Sequence, residues 1–213
     1  MPRFPNWQEE RALHKQGYQA IAGTDEVGCG CWAGPVFAAA VILPLGIRLT
    51  GVDDSKRLSA IAREELAERI RAQAVAWAIG VASEAEIDAL NIRRASGLAM
   101  QRAIQALTPM TDAVLSDAFL VPNISQYCKN VIRGDQRIMS VAAASIVAKV
   151  ARDAYMTNMD EQFPGYAFSQ HKGYGTRLHQ QALARLGVSP IHRKSFKPIA
   201  QFLSKDHSHF LTI

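Results

Sequence analysis

Residues 18–43 read YQAIAGTDEVGCGCWAGPVFAAAVIL. Two apolar stretches, each about the length of a strand, flank a connection rich in Gly and Cys. Tyr18–Thr24 predicts a short strand. Pro35–Leu43 is a continuous apolar run, the pattern of a strand buried on both faces. Asp25 and Glu26 follow the first strand directly and precede Gly28-Cys29-Gly30. Adjacent carboxylates at a strand end, beside residues with little or no side chain, can present their oxygens to a ligand without steric cover.

Outward from this core, Ala74–Ala82 predicts a third strand. The loop from Gly46 to Lys56 and a short amphipathic helix, about residues 62–72, lie before it. Ser83-Glu84-Ala85-Glu86 fits a capping box and starts a helix. Asn91 predicts a second cap, opening a helix to about Leu107, with Pro109 as its stop. Ala113–Asp117 (AVLSD) and Asn130–Arg133 are short strand candidates. Met139 to about Met159 is the longest helical stretch. Phe163–Tyr174 reads as irregular and Arg177–Leu186 as helical. Three successive strands imply an antiparallel start, and strands interleaved with helices imply parallel additions to the same sheet. The expectation is a mixed α/β chain with a helical, basic C-terminal part.

The chain has 213 residues, 48% apolar and 20% charged, which suits one folded domain. A core over about residues 18–160 and a C-terminal part over 161–213 are expected. No apolar run approaches the roughly 20 residues that span a bilayer. Residues 1–17 carry Glu9, Glu10, Arg11 and Lys15 and lack the apolar stretch of a secretory signal, so a cytoplasmic location is expected. Cys29, Cys31 and Cys128 are too few and too unevenly spaced for a disulfide framework or a closed zinc site. The net charge is +5. Between Gln162 and Ser204 there is no Asp or Glu, while Lys172, Arg177, Arg185, Arg193, Lys194 and Lys197 fall there, with His171, His179 and His192. Such a block suits a polyanion partner and equally suits a solvated basic face.

Two further acids share the setting of Asp25 and Glu26. Asp117 ends the AVLSD run, and Asp135 follows Gly134 just before the long helix, whose N-terminus favours negative charge. Singly, each could be a turn former or a helix cap. Together they could converge on one site, where mutual repulsion would be relieved by a hard cation such as Mg²⁺ or Mn²⁺. Asp153 lies fourteen residues beyond Met139, about 21 Å along a helix, so a structural bond is expected of it rather than a share in that site. For His171 and His192 a phosphate contact or a structural bond is expected, and for Trp32 and Trp77 packing in or near the core.

Six segments, in order, resemble the type 2 ribonuclease H family, the bacterial ribonuclease HII enzymes. They are Gly23-Thr24-Asp25-Glu26-Val27-Gly28-Cys29-Gly30 with Ala33-Gly34-Pro35-Val36; Asp54-Ser55-Lys56-Arg57-Leu58-Ser59; Asp117; Gly134-Asp135; the run from Ala142 to Asp153; and His171-Lys172-Gly173-Tyr174-Gly175-Thr176, followed by Ser189-Pro190-Ile191-His192-Arg193. The resemblance spans about residues 18–196. It implies a ribonuclease H-like fold, a mixed five-stranded sheet flanked by helices. It implies endonucleolytic cleavage of RNA in RNA–DNA hybrids and 5′ to ribonucleotides embedded in duplex DNA, leaving 5′-phosphate and 3′-hydroxyl ends. The family's four metal-site acids fall on Asp25, Glu26, Asp117 and Asp135, and Asp153 is not among its primary ligands. Its tyrosine at the DNA–RNA junction falls on Tyr174. Its Gly-Arg-Gly loop falls on Gly28-Cys29-Gly30, with Cys29 in place of the arginine; the loop's main-chain groups can still read a 2′-hydroxyl, but a charged fork for phosphate is lost. Ala118 stands where the family usually has Gly.

A two-metal mechanism at the four acids, with Mg²⁺ or Mn²⁺, follows from the resemblance. Lys56, Lys172 and the rest of the basic block are expected at phosphates, in a monomeric protein. Another nuclease of the same fold, or a non-catalytic RNA–DNA hybrid binder in which Cys29 marks lost function, are the competing readings. A binder has no use for a cluster of carboxylates facing phosphate.

Overall fold

A computed structural model describes residues 4–52 and 58–208 of the chain. In chain order the elements are α1 (Gln8–Lys15), β1 (Ile21–Val27), β2 (Val36–Ile42), α2 (Ala60–Gln73), β3 (Ala76–Ala82), α3 (Glu84–Leu90), α4 (Ile92–Gln105), β4 (Ala113–Asp117), β5 (Tyr127–Val131), a 3₁₀ turn (Gly134–Gln136), α5 (Met139–Gln162), α6 (Phe168–His171), α7 (Arg177–Leu186) and α8 (Lys197–Ser208). The chain divides into two compact units. The first holds Met1–Val27, Phe37–Val81 and Ser96–Ala151; the second holds Gly28–Val36, Ala82–Ala95 and Arg152–Ile213. Among the described residues no helix is long and apolar enough to cross a membrane.

The first unit is built on a mixed five-stranded sheet in the order β3-β2-β1-β4-β5. β1 runs antiparallel to β2 and parallel to β4, and β4 runs parallel to β5. The expected antiparallel start and parallel additions are both present. All seven residues of β2 are buried, because its Ala-rich face packs on α5: Ala39 and Val41 share a core with Ala142, Ala143, Ile146 and Val147. Small side chains on both partners let helix and sheet approach closely. At Gly23 the approach is closest, since any Cβ there would collide with the Ser140–Val141 main chain.

Three departures from the expected elements have local causes. β5 begins at Tyr127 and ends at Val131, earlier than expected, because pairing with β4 sets its register and Arg133 turns left-handed at φ 58°. The polar N-terminal stretch contains α1, held through Glu10, whose buried carboxylate accepts the Ser140 N–H and hydroxyl, each at 2.9 Å. That carboxylate caps the first turn of α5, where the Asn6 carbonyl accepts the Met139 N–H beside it. Trp77 is 41% exposed, under the Arg71 guanidinium, instead of in the core. It lies on an edge strand whose burial alternates, and its parity points it outward.

The second unit packs the C-terminal part of α5, α6, α7 and α8 around Met156, Tyr166, Phe168, Leu183, Ile191 and Ile199. The expected capping box is complete: Ser83 caps Glu86 N–H while the Glu86 carboxylate accepts Ser83 N–H. Thr176 caps α7 in the same way. Trp32 packs against this core as expected.

Candidate active site

The four acids lie in the first unit, brought to one region by strand register. β1 and β4 pair in parallel as far as Thr24 opposite Ser116, so the next residues along, Asp25 and Asp117, lie side by side; Asp25 and Glu26 stand inside β1, still paired with Ala39 and Ala38 of β2, and not past the strand end as expected. Glu26 follows on β1. Asp135 sits in the 3₁₀ turn that separates β5 from α5, four residues before the long helix rather than at its first turn. The Asp117 Oδ1 accepts the Gly134 N–H at 2.7 Å, which ties the strand end to that turn. Asp135 is buried.

α5 supplies a neutral partner for the acids. Val141 passes Gly23, and Ser145, one turn further on, hydrogen-bonds Asp25, two residues further on. One helical turn of about 5.4 Å nearly matches two strand residues at about 3.3 Å each, so strand and helix stay in step over this distance. Lys149 lies one turn beyond Ser145 on the same stripe and is half-buried.

Asp25 is 6% exposed, and its carboxyl is held well above the usual carboxylate range. Burial is the largest cause; the charge of Glu26 comes next, opposed by the Ser145 hydrogen bond, and Asp117 and Asp135 add to the rise. Its Oδ1 also accepts the Glu26 N–H at 2.8 Å. A buried carboxyl that feels three neighbouring carboxylates is a poor arrangement in itself and a good one for a hard cation. The donor set is all oxygen, which fits Mg²⁺ or Mn²⁺ and not a thiolate- or imidazole-seeking ion. Among the described residues no three His, Cys, Asp or Glu side chains already enclose an ion position. Asp25 and Asp117 each turn one oxygen to a main-chain N–H.

The residues expected to read substrate, apart from Lys56, lie in the second unit. Lys56 is outside the described residues. Gly28–Cys31 forms a tight turn closed by the Cys31 N–H on the Gly28 carbonyl, with Gly28 at φ +97°. A Cβ on Gly28 would meet the Arg152 side chain at 2.2 Å. Arg152 is fully buried and donates to the carbonyls of Pro35, Ala33 and Lys172. Arg193, also fully buried, donates to the carbonyls of Gly34 and Cys29. Two guanidinium groups therefore brace the 28–36 loop from inside. Arg193 was expected among the phosphate-binding residues; its burial takes it off that surface. Cys29 is half-buried and Gly30 is exposed with open space around it.

Tyr174 is 39% exposed, and its hydroxyl is hydrogen-bonded to Cys31. Burial of part of the ring, then Cys31, push the phenol up to about 12, so it stays protonated. The Lys172 ammonium donates to the Thr157 hydroxyl at 2.6 Å and the Asp153 carbonyl at 3.3 Å. His171 and His192 are buried with every ring nitrogen engaged inside the protein, so the structural bond rather than a phosphate contact describes them. Arg152, Ser145 and Gly23 were not singled out from sequence. A fully buried Arg carries no periodicity signal, and Ser145 sits in an alanine run where a hydroxyl reads as a neutral helix residue.

Comparison with known proteins gives the family and the fold. The family model described as Ribonuclease HII matches residues 22–199. The chain is 55% identical over 185 residues to the Ribonuclease HII of Nitrosococcus oceani, covering 87% of this chain and 92% of that one. In fold it is similar to the ribonuclease H2 from Pyrococcus horikoshii OT3, with a TM-score of 0.76 at 21% identity, over 89% of this chain and 99% of that one. It is also similar to Bst-RNase HIII solved in complex with Mn²⁺, with a TM-score of 0.66 at 19% identity, over 91% of this chain and 72% of that one. Matched in sequence over most of its length, the chain belongs to the ribonuclease HII family and is an endoribonuclease.

Proposed function

We propose that the protein hydrolyses the RNA strand of RNA–DNA hybrids and cuts 5′ to ribonucleotides embedded in duplex DNA, leaving 5′-phosphate and 3′-hydroxyl ends. The observation that carries this reading is Asp25 beside three other carboxylates, its acidity suppressed chiefly by burial and further by their charge. Asp25, Glu26, Asp117 and Asp135 would hold Mg²⁺ or Mn²⁺. When bound, a pair of such ions supplies an acidified water and charge stabilisation for the departing 3′-oxygen. The Mn²⁺ found with Bst-RNase HIII supports a divalent ion for this fold.

The chain's own groups do the rest. The Gly134 N–H fixes one Asp117 oxygen, leaving the other to a ligand. Ser145 orients Asp25. Burial keeps water from competing for the same oxygens. In the second unit, Tyr174 offers the face of a protonated phenol to a deoxyribose. In the Gly28–Gly30 turn the exposed main chain of Gly30 offers a donor and an acceptor to a ribose 2′-hydroxyl, which both donates and accepts. Lys172 and the exposed basic residues of α7 and α8 supply salt-dependent phosphate affinity. A cytoplasmic monomer acting in ribonucleotide removal and replication is the cellular setting this reading implies.

The test is cleavage of a continuous RNA–DNA hybrid and of a duplex with one ribonucleotide, each with Mg²⁺, Mn²⁺ or EDTA, with product ends mapped. Cutting of both substrates 5′ to ribose, stopped by EDTA, is the expected result. Cleavage that persists in EDTA would overturn it.

A further inference from the structure

His171, His179 and His192 form a buried cluster in the second unit, at 6%, 0% and 1% exposure. His171 and His179 stack at 4.3 Å between centroids, and His179 and His192 lie 5.1 Å apart. Their hydrogen bonds fix every proton. The His179 Nδ1 is 3.0 Å from the Tyr174 carbonyl oxygen, which can only accept, so Nδ1 carries the proton and Nε2 is bare. The His192 Nε2, 2.9 Å from that bare nitrogen, must then donate. Its Nδ1 must in turn accept, and it does so from the Ser189 N–H at 2.9 Å and the Ser189 hydroxyl at 2.7 Å, both nearer than the Ser189 carbonyl at 3.3 Å. Two other bonds agree for His171: Nε2 donates to the Tyr166 carbonyl at 2.8 Å, and Nδ1 accepts the Gly173 N–H at 3.2 Å. Each assignment is forced by its neighbour, and all three rings are neutral.

The run of bonds leads from Ser189 through His192 and His179 to the main chain of Tyr174, while His171 holds Gly173 beside it. The Tyr174 N–H is bonded to the His171 carbonyl and the Tyr174 carbonyl also accepts the Thr176 N–H. The backbone of Tyr174 is thus saturated by this cluster and its immediate neighbours. We propose that His171, His179 and His192 are positioning residues for Tyr174: a proton-ordered histidine chain that fixes its main chain so that its ring is presented to nucleic acid. The proposal rests on the reading of Tyr174 as a substrate residue. A proton added to any of the three rings would place a donor against a donor and remove one bond. Burial disfavours that proton in all three. The charged side chain that faces the cluster is Asp160 of α5, engaged with the Phe168 N–H and the Ser169 hydroxyl, and the phenols of Tyr166 and Tyr174 are the other titratable neighbours.

Two measurements on the full chain test this. Long-range ¹H–¹⁵N correlation spectra are expected to show His179 protonated on Nδ1 and His171 and His192 on Nε2, with His179 and His192 not titrating between pH 8 and 5 and His171 taking its proton only below the ordinary imidazole range. Any other tautomer, or titration of one of these rings near pH 6.5, would overturn the chain, and this result needs no variant to fold. In steady-state cleavage of a duplex with one ribonucleotide, His192→Leu, which removes the donor to His179, is expected to raise KM about tenfold with kcat changed less than about twofold, the pattern of lost binding. His192→Gln, which keeps an N–H at that reach, is expected to restore KM to within about threefold. Tyr174→Ala run in parallel separates the two claims. If it raises KM while a folded His192→Leu does not, positioning by histidine is wrong; if Tyr174→Ala leaves KM unchanged, the reading of Tyr174 is wrong and the proposal falls with it.

Discussion

A Cβ built on Gly23 would stand 2.1 Å from the main-chain carbonyl carbon of Ser140. The strand that carries Asp25 and the helix that carries Ser145 therefore touch backbone to backbone. Gly23→Ala must push them apart, and overpacking of this kind costs about 1–3 kcal/mol. The expected outcome is a fall in Tm of about 5–10 °C, with cleavage reduced more than about tenfold even in protein still folded at the assay temperature, because Ser145 no longer meets Asp25. Thermal melts beside initial rates check it, and full activity in the folded variant would count against the close approach as the device that sets the site.

Asp25 is expected to trade stability for function. Its ionised form is disfavoured by burial and by three carboxylates. A carboxyl whose folded pKa is raised contributes stability below its unfolded pKa and loses it as pH rises through the folded value. At pH 7–8, metal-free protein should therefore gain from a neutral isostere. Asp25→Asn is expected to raise the metal-free Tm by about 2–4 °C, or about 1 kcal/mol, while abolishing cleavage. A variant less stable than wild type without metal would contradict the electrostatic account.

The buried histidines make acid a second stress. His179 and His192 are each depressed to about 4, chiefly by burial. A base with a lowered folded pKa contributes stability above its unfolded pKa, near 6.5, and loses it as pH falls toward the folded value. Denaturant midpoints are expected to hold from pH 8 to about 6.5 and then drop, by up to about 1.4 kcal/mol per pH unit for each ring. His179→Asn and His192→Gln, which carry no titrating ring, should flatten that drop even if their stability at pH 8 is lower.

Ala118 takes φ 57° directly after Asp117. A left-handed backbone costs a residue with a Cβ roughly 1 kcal/mol relative to Gly. Ala118→Gly is expected to stabilise the protein by about 0.5–1 kcal/mol without loss of cleavage, as read by urea titration. The same position explains the Gly usual in the family, and the Ala found here is tolerated because the penalty is small and local.

Much of the fold is legible in the sequence because the signals are local. The capping box at Ser83, the apolar run that becomes β2 and the AVLSD strand ending in Asp117 each declare themselves within a few residues. The convergence of Asp117 with Asp25 is not local. It depends on β4 adding parallel to β1 in one register, which no spacing along the chain encodes. α1 was missed because its inward face includes Glu10, a charged residue whose burial is justified only by the distant first turn of α5. Arg193 reads as a phosphate-binding charge and Arg152 carries no signal of its own until the carbonyls of residues 29–35 are seen to need donors. In each case the deciding partner is remote in sequence.

The claim that the four acids form one cation site is tested most directly by Mn²⁺ binding followed by electron paramagnetic resonance, on wild type and on Asp25→Asn, Glu26→Gln, Asp117→Asn and Asp135→Asn in turn. Removing one oxygen donor and one charge should weaken binding about tenfold or more at each position, and most at Asp25, which lies among the other three. Variants that bind Mn²⁺ as wild type does, in protein shown to be folded, would contradict the shared site.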